Sequence, residues 1–431
     1  MEIKEIGKIN LFLKEEMGPS LGVSEPAAIA LATAKAYEAI GGELKSIKLI
    51  IDPGVYKNGF SCAIPGTKEM GNELAAILGV LAGDTNLELK VLSNIKKDDI
   101  EKAKELRNKN IAIVDIKEGA QDIFIDANVE TDKGLGHVVI EKKHTNIVLI
   151  EANGKRLYES EFNNNEKVEK EFDLRGLKLD DFIEYVETVS FSDVKFTLKA
   201  VEMNNELAKI GMCGSAMGLG KALNELIQEK RLSDDIVSYA QILTGYAVDA
   251  RMGGMAKPAM MISGSGDHGI IATMPLFAIA ERENIGEEQL ARAIALSYLI
   301  TIYIKGYSGR LSAFCGCAVA AGTGVSAAIV YLLGGNKTQI GYTINNMASN
   351  ITGMICDGGN FGCSLKAMTA ASAATQSALF ALKDVHIPNY SGIVGNTFEE
   401  TMQNMGKIAS PGMLDTDKVI LDIMLNRHNL K

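Results

Sequence analysis

Residues 21–40 read LGVSEPAAIALATAKAYEAI, a loop-like Gly-Val-Ser-Glu-Pro running into an alanine-rich stretch. Ser24 is a good N-cap and Pro26 is tolerated in a first turn, so a helix is expected from Glu25 or Pro26. A helix N-terminus stabilises anions and thiolates. Here the residue just before the cap is Val23, whose side chain is inert. What this helix packs against settles how the two ends of the chain are joined, and the rest of the sequence sets the choices.

Three zones are visible. Residues 1–42 read as two helices joined by a turn at 18–22. From 43 to 200 β-branched residues alternate or cluster, and KSIKLIIDPG, LELKVL, NIAIVDI, QDIFIDANVET, GHVVIEKKHTNIVLIEANGKRLY and VKFTLKAV read as strands. Helical segments are expected at Lys68–Gly83 and Ile95–Lys109. GHVVIEKKHTNIVLIEANG reads as a hairpin and FNNNEKVEKEFDLRG as a surface loop. After residue 200 the pattern is helical almost to the end, broken at SGSGDHG (263–269), Gly334–Gly335 and CDGGNFG (356–362). The fold class expected is α+β: a mostly helical catalytic domain (1–42 plus 201–431) with an inserted βα domain of mixed strands and helices (43–200).

Composition narrows the function. The 431 residues are 47% hydrophobic, which is the range of folded globular chains. A net charge of −10, with no basic run, argues against nucleic acid as a partner. The N-terminal MEIKEIGKINLFLKEEMG is amphipathic and has no apolar core of a secretory signal, so a cytoplasmic protein is expected. Its six cysteines are then thiols or metal ligands. Ala313–Leu333 carries no charge over a membrane-length span, but its glycines, Thr323 and Ser326 favour a pair of buried helices, with no membrane partner.

Four of the six cysteines fall in one window: Cys315 and Cys317 in AFCGCAVAAG, Cys356 and Cys363 in MICDGGNFGCSLKA. Free cysteine commonly serves as a small buried hydrophobe. Clustering beside glycine-rich breaks also suits an inorganic cluster approached by backbone. The spacings match no zinc finger. SGSGDHG resembles an anion-binding turn, with Ser263, Gly264, Ser265 and Gly266 as candidate binding residues. Asp267 and His268 add a carboxylate and a tunable imidazole, candidates for acid–base work or ordinary capping. VYKNGFSCAIPGT (55–67) puts Tyr56, Lys57 and Asn58 between a strand and a helix, where α/β units hold ligands. Lys57 suits a substrate carboxylate, or is a plain surface lysine. Glu25 and Arg310 are further binding candidates. His137 and His144, on the hairpin, read as structural.

Taken together, GVSEP, VYKNG…IPGT, GHVVI…HTN, SGSGDHG, GRLSAFCGCA and CDGGNFGC resemble the L-cysteine desulfidase family, related to the alpha-subunit region of iron–sulfur serine dehydratases. The resemblance spans essentially the whole chain. It implies β-elimination of L-cysteine to sulfide, ammonia and pyruvate, without pyridoxal phosphate. It also implies a [4Fe–4S] cluster on three cysteines, its fourth iron open to a small amino-acid substrate, and it goes with an expected homo-oligomer. Residue by residue, the second ligand falls at Cys315, with Cys317 as alternative, and the third at Cys356. The first belongs to the family's G-C-T-E-P, where this chain has Val23. Cys317, Cys363, Cys213 and Ser24 are possible substitutes. The family's Asn-Gln in the glycine loop is here Asp267–His268.

A valine cannot ligate iron, so three readings stay open. One is the lyase with a completed cluster. Another is a cluster-free enzyme moving a Cα proton, by racemisation or elimination, on a small amino or hydroxy acid through His268 and Asp267. The last is a non-catalytic small-molecule-binding protein.

Overall fold

The computed structural model describes residues 3–117, 123–160, 172–214, 217–309 and 311–428. Arg310 and most of FNNNEKVEKEFDLRG lie outside the described residues. The architecture is α+β and mostly helical. A six-stranded sheet runs in the order β3-β2-β4-β5-β6-β7, and a two-stranded ribbon joins β1 to β8. The strands are β1 (Gly18–Leu21), β2 (Leu44–Ile51), β3 (Ala112–Ile116), β4 (Phe124–Thr131), β5 (Gly134–Glu141), β6 (Ile147–Ala152), β7 (Lys155–Glu159) and β8 (Pro258–Met261). β2 and β3 are parallel and the remaining pairs antiparallel.

Alternation explains the sheet. Ile47, Leu49 and Ile51 of β2, Ile125, Ala127 and Val129 of β4, and Val138 and Ile140 of β5 are all buried in one core. Helix α1 spans Ile3–Glu16 and helix α2 spans Ser24–Ile40. The alanines of α2 belong to that same sheet core. Small side chains let the helix come close: a Cβ added to Gly136 would stand 2.0 Å from the Ala36 carbonyl oxygen. Replacing Gly136 by valine therefore overpacks this contact and is expected to cost about 1–3 kcal/mol, read as a lower thermal midpoint. An unchanged midpoint would mean α2 tolerates displacement from the sheet.

The cores divide differently from the boundaries expected at 42 and 200. From the N-terminal segment Ile9 and Leu13 of α1 join the helical core, while α2 joins the sheet. Leu174, Leu179, Phe182, Tyr185 and Val194 also belong to the helical core. The turn expected at 18–22 contains a strand: β1 pairs with β8 from Gly18↔Met261 to Leu21↔Pro258, fastening the start of α2 beside the glycine loop.

Two expected strands are helical. LELKVL lies mostly in the 3-10 turn Thr85–Lys90, opened by Asp84 accepting from the Asn86 amide. VKFTLKAV runs from the 3-10 turn Lys195–Leu198 into the helix Lys199–Met212. There Val194, Thr197 and Ala200 are fully buried at a three-residue spacing. Short β-branched runs do not separate strand from buried helix by composition, and the three-residue period decides. The expected helices appear at Asn72–Ala82 and Lys97–Asn108, and the hairpin appears as β5–β6. The uncharged stretch from Ala313 continues into the helix Gly322–Leu332 in the helical core. Among the described residues no helix is long and apolar enough to cross a membrane.

Candidate active site

Where the two cores meet lies a cavity with about 860 Å³ of atom-free space, part of it open to solvent. Most of its lining comes from the start of α2, the helix α3 (Pro53–Phe60), the loop before Gly266, the segment 311–317, and the loop after Cys356.

The start of α2 differs from the expected cap. The capping position is taken by Val23, and no side chain caps the helix. Ser24 Oγ instead donates to the Gly264 carbonyl at 3.3 Å, tying α2 to the glycine loop. Val23 lines the cavity beside Glu25. Glu25 accepts from Asn58 Nδ2 at 2.9 Å and lies 3.5 Å from His144 Nε2. Burial pushes the Glu25 carboxyl up, but His144 and Asn58 outweigh it and hold the group below the usual carboxylate range.

VYKNG, expected as a loop, sits on α3. Asp52 caps this helix by accepting from the Gly54 and Val55 amides at 2.8 and 3.0 Å, and Pro53 opens it. That orientation sends Lys57 and Asn58 into the cavity, while Tyr56 packs in the sheet core with its ring 5.7 Å from Phe60. Lys57 pairs with Asp417 of the C-terminal helix Leu414–His428. Burial opposes the Lys57 charge, but Cys356, Asp417 and Asp357 hold the ammonium protonated. The glycines of CDGG have a steric reason: a Cβ on Gly358 would stand 2.2 Å from the Lys57 carbonyl oxygen, and one on Gly359 would stand 2.7 Å from that of Asn58.

In the glycine loop Ile262 and Ser265 bond each other's backbone at 3.2 Å in both directions. Gly264 has φ 81°, a conformation glycine adopts without strain. Gly266 opens the short helix Gly266–Ile271, and a Cβ there would stand 2.7 Å from Arg251 Nε. Asp267 accepts from Arg251 Nη1 at 2.6 Å, and Arg251 Nη2 donates to the Gly22 carbonyl. Burial pushes the Asp267 carboxyl up against the pull of Arg251. The pair clamps the entry of α2 to the loop.

His268 Nδ1 lies 3.2 Å from the Ile262 carbonyl oxygen. A donor is needed there, so the proton is assigned to Nδ1 and the lone pair to Nε2. Burial, helped by the Lys305 charge, pulls the imidazole down to about 3, so it is neutral across ordinary pH. A Cβ on Gly316 would stand 2.7 Å from His268 Nε2 and 3.0 Å from Lys305 Nζ, so glycine there lets both groups approach the cavity.

The thiols meet through a small bridge. The Cys315 amide donates to Met354 at 2.7 Å and the Cys356 amide donates to Ala313 at 2.8 Å, which sets the two cysteines side by side. Cys363 Sγ donates to the Gly358 carbonyl at 3.5 Å, and Cys317 Sγ lies 3.8 Å from Ser265 Oγ. All four thiols line the cavity. A hydrogen bond from Cys317 lowers the Cys315 thiol to about 7, while burial holds Cys356 and Cys363 up. Among the described residues no three histidine, cysteine, aspartate or glutamate side chains converge tightly enough to hold a single metal ion.

Of the residues singled out from sequence, Glu25, Lys57, Asn58, Ser263, Gly264, Ser265, Asp267, His268 and the four clustered cysteines line one cavity. Tyr56 and Gly266 do not line it. Cys213 is exposed at the end of the helix Lys199–Met212. His137 sits on the sheet between Asp126 and Glu151, at 3.0 and 3.2 Å. Sequence reasoning missed His144, Arg251, Lys305, Lys366 and Asp417, all of which line the cavity. The HTN motif was the available signal for His144; the others sit in helices with nothing local to mark them.

The sequence matches a known family. The family described as "Serine dehydratase alpha chain" covers residues 86–422, and the chain belongs to that family. Relatives similar over nearly the whole chain carry the name UPF0597 protein. One from Clostridium botulinum (strain Langeland) is 53% identical over 419 residues, covering 96% of this chain and 97% of the relative. One from Clostridioides difficile (strain 630) is 39% identical over 417 residues, covering 96% and 98%. One from Caldanaerobacter subterraneus subsp. tengcongensis is 38% identical over 417 residues, covering 96% and 97%.

Proposed function

We propose that this protein is a lyase that removes the β-substituent from a small amino acid of the L-cysteine and L-serine class, as an L-cysteine desulfidase does. The observation that carries this reading is the meeting of four thiols, a neutral buried histidine and two buried lysines in one cavity.

The donor set suits a [4Fe–4S] cluster. Iron–sulfur clusters take cysteine thiolates, and a four-iron cluster spreads its ligands more widely than one ion does. Cys315 comes from one piece of chain and Cys356 and Cys363 from the two ends of another, and all three line the cavity that would hold such a group. Cys317 is two residues from Cys315 and hydrogen-bonded to it, which suits it less to a separate corner. Three thiols are then available without position 23, and Val23 costs the site no necessary ligand. When bound, the cluster would supply a thiophilic, Lewis-acidic iron for the leaving atom.

The chain's own residues do the rest. Lys57 exchanges Asp417 for the substrate carboxylate, with Asn58 beside it. Nε2 of His268 takes the Cα proton, and the Lys305 ammonium steadies the negative charge that develops on the substrate. Lys57→Ala is expected to raise KM roughly 10- to 100-fold with a smaller change in kcat, the worth of one charge-assisted bond. The reading itself is tested by anaerobic release of pyruvate and ammonia from L-cysteine and L-serine. Equal amounts of the two products support it, and their absence from iron-replete protein contradicts it.

A further inference from the structure

His144 has no part in that scheme, yet its environment is that of a working group. The tight β5–β6 turn, in which the Glu141 amide donates to Asn146 at 3.1 Å, projects it from the sheet domain into the cavity. The residue is 6% exposed. Its Nε2 is buried without a formed hydrogen bond, 3.5 Å from Glu25 Oε1. A structural histidine buried this far is ordinarily satisfied. A carboxylate facing one imidazole nitrogen of a cavity-lining histidine is the arrangement that orients a proton-transfer histidine. Such bonds are often long in the free enzyme and tighten when substrate binds. Asn58 fixes the Glu25 carboxylate from its other side.

We propose, resting on the lyase reading above, that His144 held by Glu25 gives the proton that the departing β-substituent takes with it. His268 takes the Cα proton, and the C–H electron pair becomes the Cα=Cβ bond. The Cβ–oxygen or Cβ–sulfur bond breaks with its pair on the leaving atom, which accepts a proton from His144 and departs as water or hydrogen sulfide. The 2-aminoacrylate left behind tautomerises to an imine, which water hydrolyses to pyruvate and ammonia. Solvent carries the proton from His268 back to His144, so both end as they began. The two histidines come from different cores and suit different roles: His268 is held neutral, and Glu25 is held ionised beside His144.

The test compares two leaving groups on the anaerobic, iron-replete protein: whichever of L-cysteine and L-serine it turns over faster, and β-chloro-L-alanine, whose chloride leaves without a proton. For His144→Gln the ratio of natural-substrate to chloroalanine kcat/KM should fall about 10²–10⁴-fold, the contribution typical of a general acid. Glu25→Gln should move the ratio the same way by less, which serves if His144→Gln fails to fold. A ratio unchanged in the folded variants overturns the assignment of His144 and leaves the lyase reading standing. A wild-type protein that turns over neither substrate overturns both.

Discussion

His268→Ala is expected to lower kcat for elimination by about 10²–10⁴-fold, with KM altered far less. The expectation rests on three features that act together. The Nδ1 proton is committed to the Ile262 carbonyl, so the free lone pair is at Nε2. Burial and the Lys305 charge hold the ring neutral, which leaves the Nε2 lone pair free of a proton. Gly316 lets Nε2 and the Lys305 ammonium come close to the cavity wall, where a Cβ would stand 2.7 Å from Nε2. Asp267 cannot take the role over, because its carboxylate is engaged by Arg251. A variant that keeps its fold and its full rate would remove His268 from the chemistry.

Cys356→Ser is the second large effect expected: loss of most bound iron after anaerobic purification, against roughly four irons per chain in the parent. Cys363→Ser should behave alike, whereas Cys317→Ser and the exposed Cys213→Ser should retain the parent iron. Iron content and the visible absorption of the cluster measure this independently of turnover. Iron kept in Cys363→Ser and lost in Cys317→Ser would exchange the two residues in the ligand set. Iron absent from the parent itself would favour proton-transfer chemistry without a cluster.

Much of this is legible in the amino-acid sequence, and the limits have physical causes. The strands β2, β4 and β5 announce themselves because one face of the sheet is buried and alternation follows. The glycine loop and CDGG were visible because glycine marks places where backbone presses on backbone, as Gly358 does on Lys57. The helical nature of VKFTLKAV was hidden, since β-branched content speaks for strand while burial at Val194, Thr197 and Ala200 speaks for helix. The packing of α2 was hidden too. An alanine-rich helix is apolar on every side, so its pattern does not say which neighbour it faces. Arg251, Lys305 and Asp417 reach the cavity from distant helices, and only tertiary structure brings them there. His144 was read as structural because a lone histidine on a hairpin ordinarily is; the carboxylate that orients it lies far away in sequence, at Glu25.

Behind all of these stands one claim: at this junction of two cores, a bound amino acid gives up the hydrogen on its α-carbon. Proton NMR of L-cysteine and L-serine, incubated anaerobically in D₂O with iron-replete protein, reports on that step directly. The account predicts that the α-hydrogen signal falls as deuterated pyruvate appears, and that His268→Ala prevents both. Amino acids recovered with every α-hydrogen in place, and no pyruvate formed, would contradict it.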